Sequence, residues 1–306
     1  MDRLDAMAVL VTVAESGSFS AAGRKLRMPL PTVSRKVAEL EAHLQTQLLV
    51  RTTRKLTLTD AGAAYVAACK RILEQVTEAE RTASGEYAAP RGDLVVAAPI
   101  VFGRHHVLPA INAFLGAYPE INVRLTLSDR NMHLIEDQID VAVRIGALGD
   151  SRMVATRVGA LRRVVCASPG LLADLGTPKV PEDLAALACV SFDSLATTGT
   201  WIFTDPDSGR DRAVPIHPRL SVNTAEAAVD AAIAGVGITR LLSYQAAQAV
   251  AEGKLKIVLT AFEPAPSPIN IVYIGQTLLP RKTRAFLDFV APRLRERAAQ
   301  VEALTR

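Results

Sequence analysis

The chain has 306 residues, of which 49% are hydrophobic, and its formal net charge is +4. This length exceeds what one small core usually supports, so we expect two or three domains. No run approaches about eighteen apolar residues and the first residues lack the order of a secretory signal, which argues against a membrane-spanning or exported class and predicts a cytoplasmic protein.

Residues 1–44 carry three short helical patterns. Before Gly17, which is placed to stop a helix, apolar residues recur at helical spacing: Leu4, Met7, Ala8, Val11 and Ala14. Ser18 or Ser20 can cap a second helix that ends near Leu26. Pro31 suits the first turn of a third helix, whose apolar positions form one stripe: Val33, Val37, Leu40 and Leu44. Of these, Val33, Val37 and Leu40 are expected in the core of the domain.

Residues 49–62 change to a strand-like alternation, which predicts a small hairpin, or wing. Thr59 can cap the long helix that follows, from Asp60 to about Tyr87. Its apolar residues recur every three or four positions: Ala61, Tyr65, Ala68, Ile72, Val76 and Ala79. A seam of this length on a small domain predicts dimerisation. A single buried core helix is the alternative.

Positive charge is concentrated in this part of the chain. Between Ser18 and Leu58, Glu39 and Glu41 are outnumbered by eight basic residues: Arg24, Lys25, Arg27, Arg35, Lys36, Arg51, Arg54 and Lys55. Residues 91–306, in contrast, carry 23 basic and 21 acidic residues. A local excess of this kind suits the neutralisation of nucleic-acid phosphates, although a solvated basic face has the same pattern.

Three helices followed by a hairpin predict a winged helix-turn-helix, in which the third helix reads base edges in DNA. The side chains expected to contact DNA from the helices are Ser20, Pro29, Leu30, Pro31, Thr32, Ser34, Arg35 and Lys36. Those expected to contact the flanking backbone from the wing are Arg51, Thr53, Arg54 and Lys55.

A breaker at residues 89–92 predicts a domain boundary. Beyond it, short β-branched runs alternate with helical stretches, which predicts an α/β domain with a mostly parallel sheet. The predicted strands are 94–98, 122–127, 141–145 and 162–167, and the predicted helices are 108–118, 171–175 and 224–234.

Sequence signals for catalysis are weak, so we expect no enzyme, no cofactor and no metal. A Gly-x-Ser-x-Gly elbow and a phosphate-binding loop are both missing from the sequence, and the histidines lack metal-ligand spacing. The widely spaced cysteines predict reduced, buried thiols rather than disulfides: Cys69, Cys166 and Cys189.

Over nearly all of its length, the chain resembles the LysR-type transcriptional regulators. In the helices and wing, the matching residues are Val9, Val13, Gly17, Ser18, Phe19, Ala21, Ala22, Pro31, Val33, Ser34, Arg35, Leu40, Glu41, Leu44, Leu48, Leu49, Arg51, Leu56, Leu58, Thr59, Ala61 and Gly62. Further on, they are 94–99, Leu108, Pro109, Phe114, Tyr118, Pro119, 140–142, Arg144, Gly146, Asn223 and 234–238. Two departures are Pro29 and Leu30, where the family is usually polar, and Arg240 with Leu241, where it often has leucine and proline.

The resemblance implies a winged helix-turn-helix at 1–58, a linker and dimerisation helix at 59–89, and an effector domain at 90–306 similar to periplasmic binding proteins. Its first lobe would comprise about 91–167 and 269–306, and its second about 168–268. By position, the effector would contact Pro99, Ile100, Val101, Phe102, Gly103, Ser128, Arg130, Arg144, Ile145, Gly146, Phe203, Asn223 and Thr224. Arg144 or Arg130 could bind an anion, although a surface or interlobe salt bridge is the alternative for each.

These expectations describe a transcription regulator whose promoter binding responds to a small, anionic effector. Its expected partners are double-stranded promoter DNA, the effector and itself, as a dimer through the linker helix and then a tetramer, with RNA polymerase as a further candidate. The main alternative is a small-molecule-binding or transport-related protein whose N-terminal helices only dimerise. An enzyme in the C-terminal domain is a third hypothesis.

Overall fold

A computed structural model describes residues 2–51, 56–83, 89–130, 132–149, 153–192, 199–275 and 279–305. The chain forms two compact units, residues 1–89 and 90–306. Within the described residues, no helix has the length and apolar character that a membrane span requires.

The first unit contains the three predicted helices and the hairpin. They are α1 (Arg3–Ser16), α2 (Phe19–Leu26), α3 (Leu30–Leu44), β1 (Leu49–Arg51) and β2 (Leu56–Leu58). Gly17 ends α1 with a left-handed φ of 64°, and Ser18 caps α2 by accepting a hydrogen bond from the Ala21 N–H at 3.0 Å. The core includes Val9, Leu10, Val13, Val33, Val37, Leu40, Leu48 and Leu49. The predicted burial of Val33, Val37 and Leu40 is therefore confirmed.

The long helix α4 (Asp60–Ala83) completes this unit. As predicted, Thr59 caps it, since its Oγ1 accepts from the Gly62 N–H at 2.9 Å. Among the described residues of α4, the buried ones are Gly62, Val66 and Cys69. Ile72, in the predicted seam, remains 38% exposed. The seam therefore includes an apolar surface that the unit's own core does not cover.

The second unit is built around two five-stranded sheets. The first sheet contains β3 (Gly92–Ala98), β4 (Ile121–Leu127), β5 (Val141–Ile145), β6 (Met153–Leu161) and β14 (Ser267–Ile274), in the order β4-β3-β5-β14-β6. The second contains β7 (Arg163–Ala167), β8 (Ala188–Phe192), β11 (His217–Val222), β12 (Ile238–Leu242) and β13 (Lys256–Val258), in the order β11-β8-β12-β7-β13. A hairpin of β9 (Thr200–Thr204) and β10 (Asp211–Pro215) is added to the second lobe.

The prediction of a mostly parallel sheet is wrong. In the first sheet, β3 runs parallel to β4 and β5, whereas β14 runs antiparallel to β5 and β6. The second sheet is mixed in the same way, with β12 parallel to β8 but antiparallel to β7. In each sheet the reversed strand is the one that follows a crossing between the lobes, β7 in the second sheet and β14 in the first.

Helices cover the two sheets. They are α5 (Ile100–Phe102), a π-helical turn (Gly103–Val107), α6 (Leu108–Ala117), α7 (Pro169–Leu175), α8 (Ala225–Ile233), α9 (Ser243–Ala251) and α10 (Arg281–Leu304), with 3-10 turns at Pro181–Ala186 and Thr260–Phe262. The core of the first lobe contains Phe114 from α6 packed edge-on against Phe286 from α10, with ring centroids 5.2 Å apart.

The chain crosses between the lobes earlier than expected. Because β7 is hydrogen bonded in the second sheet, residues 163–167 belong to the second lobe and the crossing lies at Arg162 rather than near Ser168. The return crossing precedes Ser267, the first residue of β14, close to the expected position of Ile269. Residue pattern does not mark this boundary, since β7 is as apolar as the first-lobe strand β5.

Candidate nucleic-acid interface and ligand cavity

The turn between α2 and α3 depends on two residues with special backbone requirements. Arg27 ends α2 in the left-handed region, with a φ of 54°. A Cβ atom at Gly23 would lie 2.8 Å from the Met28 carbonyl oxygen, so only glycine lets the turn approach α2 this closely. These two residues fix where α3 begins. Sequence analysis did not assign this role to Gly23.

The N-terminal end of α3 presents an exposed, largely apolar edge. The helix starts after Pro29, whose carbonyl accepts from the Thr32 N–H at 3.0 Å. Pro29 and Pro31 are exposed, and Leu30 is 46% exposed. Ser20 is also exposed, whereas Thr32 and Ser34 are partly buried. Every predicted contact residue on the helices thus retains some accessible surface.

Arg35 and Lys36 differ in their surroundings, although the sequence predicts the same role for both. The Arg35 side chain is 71% exposed, and its Nε lies 3.8 Å from the carboxylate of Glu39 one turn later. The Lys36 side chain is only 23% exposed, and its Nζ pairs with the carboxylate of Asp5 on α1. Lys36 therefore ties α3 to α1, whereas Arg35 can reach a ligand.

The hairpin is anchored to α3 by Glu41. Its Oε1 accepts from the backbone N–H groups of Leu48 at 2.7 Å and Leu49 at 3.0 Å. Among the predicted wing contacts, Arg51 pairs with Leu56 in the hairpin. Thr53, Arg54 and Lys55 lie outside the described residues, as does the side chain of Arg51.

The second unit contains a cavity of 220 Å³ between its lobes. Six of the predicted ligand residues line it: Pro99, Ser128, Arg130, Arg144, Ile145 and Gly146. Asp129, within the predicted stretch from Ser128 to Arg130, lines it as well. Sequence analysis missed the rest of the lining: Ala97, Ala98, Met132, Ala142, Val143, Arg163, Phe192, Leu242, Tyr244, Gln245 and Ser267. Several of these come from the second lobe, for which position in the family pattern gave little guidance.

Four other predicted ligand residues are packed away from the cavity. Val101 and Phe102 are 6% and 1% exposed. Gly103 is buried, and a Cβ there would lie 2.3 Å from the Leu127 side chain. Phe203 is 2% exposed within the second-lobe core. These side chains are used for packing, which the sequence pattern alone does not distinguish from lining a pocket.

The remaining three predicted ligand residues also lie outside the cavity lining in the described structure. The Ile100 N–H donates to Asp129 Oδ1 at 3.0 Å. Thr224 caps α8, since its Oγ1 accepts from the Ala227 N–H at 3.3 Å, and the preceding residue, Asn223, is exposed. Arg240, one of the two departures from the family pattern, lies over the Trp201 ring at 5.4 Å and donates to the Ile202 carbonyl at 2.8 Å.

The cavity has a cationic excess. Its described lining contains three arginines, Arg130, Arg144 and Arg163, and one acidic residue, Asp129. Arg144 donates through Nη2 to the Met132 carbonyl, which fixes its guanidinium. Burial raises the pKa of the Tyr244 hydroxyl above its usual range, so this group stays neutral and can donate a hydrogen bond. The arrangement suits an anionic group beside an aromatic wall.

The described residues contain no cluster of His, Cys, Asp and Glu that could hold a metal ion. All three cysteines are free and buried. Burial raises the pKa of Cys166 to about 12 and that of Cys189 to about 11, so both remain thiols at neutral pH.

Comparison with known families accounts for both units. Residues 4–63 match the bacterial regulatory helix-turn-helix proteins of the lysR family, and residues 88–295 match the LysR substrate binding domain. The chain belongs to the LysR family of transcriptional regulators. The predicted family and fold class are therefore confirmed. The family consists of transcription regulators rather than enzymes.

The LysR relatives include proteins of opposite effect. The chain is 36% identical over 291 residues to an HTH-type transcriptional repressor of Pseudomonas aeruginosa, with 95% of this chain and 92% of the relative covered. It is 31% identical over 288 residues to the HTH-type transcriptional activator AaeR of Escherichia coli, with 94% and 93% covered. The structure of CrgA, a LysR-type transcriptional regulator from Neisseria meningitidis, is 35% identical, with a TM-score of 0.60 and 95% and 98% of the two chains covered.

LysR regulators bind DNA and small-molecule effectors and oligomerise. The helix-turn-helix match spans α1, α2 and α3. The family assignment therefore argues against the alternative in which these helices serve only for dimerisation.

Proposed function

We propose that this LysR regulator reads promoter DNA with the N-terminal end of α3 and responds to a small anionic effector bound in the interlobe cavity. Dimerisation through α4, assembly into a tetramer, contact with RNA polymerase and action in the cytoplasm complete the proposal. The uncovered apolar surface at Ile72 supports a partner helix on α4. Relatives named as repressor and activator leave either regulatory outcome open.

The observation that supports the DNA-reading surface is the exposure of Arg35 beside an apolar edge. Its guanidinium is free enough to reach guanine or a phosphate. Leu30, where the family is usually polar, can contact a thymine methyl but can make no polar base contact. We therefore expect an operator preference that differs from that of relatives with polar residues there.

Arg35→Ala tests this surface. It should weaken specific binding to the DNA upstream of the protein's own gene by about 1 to 3 kcal/mol, since a bidentate base contact is lost. Arg157→Ala, which removes an exposed arginine from β6 in the other unit, is the matched control and should leave the affinity unchanged. Gel retardation and footprinting measure both variants. An unchanged footprint and affinity for Arg35→Ala would contradict the assignment.

The observation that supports an anionic effector is the set of arginines around a small cavity. The volume of 220 Å³ is below the roughly 300 Å³ at which pockets for drug-sized ligands begin. A compact ligand is thus favoured. Benzoate is a suitable probe because it combines one carboxylate with one ring, which Phe192 and Tyr244 can contact.

Arg130→Gln tests the anion site. In the unaltered protein, benzoate at 100 times its dissociation constant should add about 2.7 kcal/mol to the free energy of unfolding. Arg130→Gln should weaken benzoate binding about tenfold, and benzamide, the neutral analogue, should bind the unaltered protein no better than it binds the variant. Thermal-shift titration measures the stabilisation by benzoate, and calorimetry measures the affinities for benzoate and benzamide. Equal affinity for benzoate and benzamide would contradict an anionic site.

A further inference from the structure

Two segments of the chain pass between the lobes, and a charged pair joins them. Arg162 lies between β6 of the first lobe and β7 of the second, and Glu263 lies between β13 and the return into β14. Arg162 Nη1 is 3.4 Å from Glu263 Oε2, with side chains only 25% and 10% exposed. The pair therefore connects the two crossings directly.

The end of α10 joins the same cluster. Arg162 Nη2 donates to the Thr305 carbonyl just after this helix. Thr305 is itself buried, and its Oγ1 donates to the Val301 carbonyl at 3.0 Å. We name Arg162, Glu263 and Thr305 the crossover clamp, since they hold both crossings against a helix that packs on β6 of the first lobe.

The crossover clamp is incompletely satisfied in this arrangement. Arg162 Nε and Glu263 Oε1 are both buried, and neither has a hydrogen-bond partner among the described residues. Burial raises the pKa of Glu263, which the positive charge of Arg162 opposes. Buried polar atoms without partners are unfavourable, so a different angle between the lobes that satisfied them would compete with this one.

The crossover clamp is continuous with the cavity. The Arg162 carbonyl accepts from the Ser243 N–H at 2.8 Å, and Ser243 stands between Leu242 and Tyr244, which line the cavity. Arg163, the next residue after Arg162, also lines it, as does Ser267, four residues after Glu263. Movement at either crossing would therefore displace residues of the cavity wall.

We propose that the crossover clamp sets the angle between the lobes and thereby holds the cavity in its ligand-binding shape. Arg162 and Glu263 are positioning residues, since neither lines the cavity. The proposal rests on the proposed function in that it takes the cavity as the effector site. It adds a mechanism by which effector binding and lobe angle are coupled.

Variants of the full-length chain test the crossover clamp. Arg162→Met and Glu263→Gln each break the charged pair, and Arg162→Lys retains the positive charge. The control is the exposed pair Arg212–Glu182 of the second lobe, 2.8 Å apart with side chains 47% and 53% exposed, altered as Arg212→Met and Glu182→Gln. Circular dichroism establishes whether each variant is folded. If Arg162→Met does not fold, Glu263→Gln, which keeps the side-chain volume, provides the test.

Two measurements separate this proposal from the proposed function. Spin labels at Ala117→Cys on α6 and Asp174→Cys on α7, both exposed, report the distance between the lobes by pulsed electron paramagnetic resonance. The native cysteines are buried and should not react. The second measurement is the dissociation constant of benzoate.

For Arg162→Met and Glu263→Gln, the distance distribution should widen and the dissociation constant of benzoate should rise at least threefold. Arg162→Lys should lie closer to the unaltered protein, and the control pair should change neither quantity. Unchanged distances would overturn the proposal whatever benzoate does, and widened distances with unchanged benzoate affinity would overturn the coupling to the cavity. If benzoate fails to bind even the unaltered protein, the anion site fails while the distances still decide whether the crossover clamp sets the lobe angle.

Discussion

The two candidate sites are assembled in different ways. The DNA-reading surface comes from one continuous stretch, α2 to the wing, whose turns and caps are encoded by neighbouring residues. The interlobe cavity is lined by short segments that are far apart in the sequence, from residue 97 to residue 267. The first site therefore depends on local chemistry. The second depends on how distant segments of the chain are brought together between two sheets. Substitutions can test this contrast by damaging one unit without the other.

Gly62→Ala should have the largest effect, confined to the first unit. A Cβ at this position would lie 1.9 Å from the Leu48 carbonyl oxygen, and backbone cannot move away as a flexible side chain can. We expect a loss of roughly 3 kcal/mol or more in the free energy of unfolding of the first unit, with loss of DNA binding. Hydrogen exchange resolved by residue measures each unit separately.

Gly116→Ala is the matched control for Gly62→Ala. Gly116 lies within α6, and a Cβ there would meet nothing within 4 Å. Alanine should therefore leave the second unit unchanged or stabilise it by up to about 1 kcal/mol. Wild-type protection of the first unit in Gly62→Ala would contradict the close approach of α4 to the Leu48 backbone.

Glu41→Ala should have a smaller effect on the same unit. It removes a carboxylate that accepts from two backbone N–H groups, those of Leu48 and Leu49. Loss of these charge-assisted bonds should cost about 1.5 to 3 kcal/mol and loosen the hairpin. Glu39→Ala on the exposed face of α3 should cost less than about 0.5 kcal/mol. Urea denaturation compares the two, and equal losses would mean that Glu41 does not anchor the wing.

Local signals explain which parts of the fold were predictable. The stop at Gly17, the caps at Ser18 and Thr59 and the proline near the start of α3 placed all four helices of the first unit. By contrast, the buried run of β7 contains nothing that assigns it to one lobe or the other. Which of the two sheets a strand joins is decided by packing between residues far apart in the sequence, and residue spacing does not report that packing.

The cavity was predictable only where the family pattern marks strand ends. Arg130, Arg144 and Gly146 follow or end first-lobe strands and line the cavity as expected. Phe102 faces the core instead, and Tyr244 occupies the wall, where their rings pack edge-on at 5.3 Å. From sequence alone, an aromatic residue in a short helix is equally compatible with burial in the core and with lining the cavity. Only the tertiary packing distinguishes them.

The smallest expected effect concerns His106, in the π-helical turn of the second unit. Its ring lies 4.7 Å from that of Phe102 and 5.9 Å from that of Tyr244. Burial, followed by the charges of His105 and Arg297, lowers the pKa of His106 to about 4. In the unfolded chain the pKa of histidine is about 6.5, so between these values the unfolded state binds more protons than the folded state.

The free energy of unfolding of the second unit should therefore decrease as the pH falls from about 6.5 to about 4, and His106 should add no slope above that range. His106→Gln should reduce the slope by at most one proton per molecule. Urea midpoints from pH 4 to 7, with hydrogen exchange assigning the change to a unit, measure this. A slope that persists in His106→Gln would mean that the ring is not held neutral between the aromatic side chains. A change that appeared in the first unit instead would contradict the assignment of this pH dependence to His106.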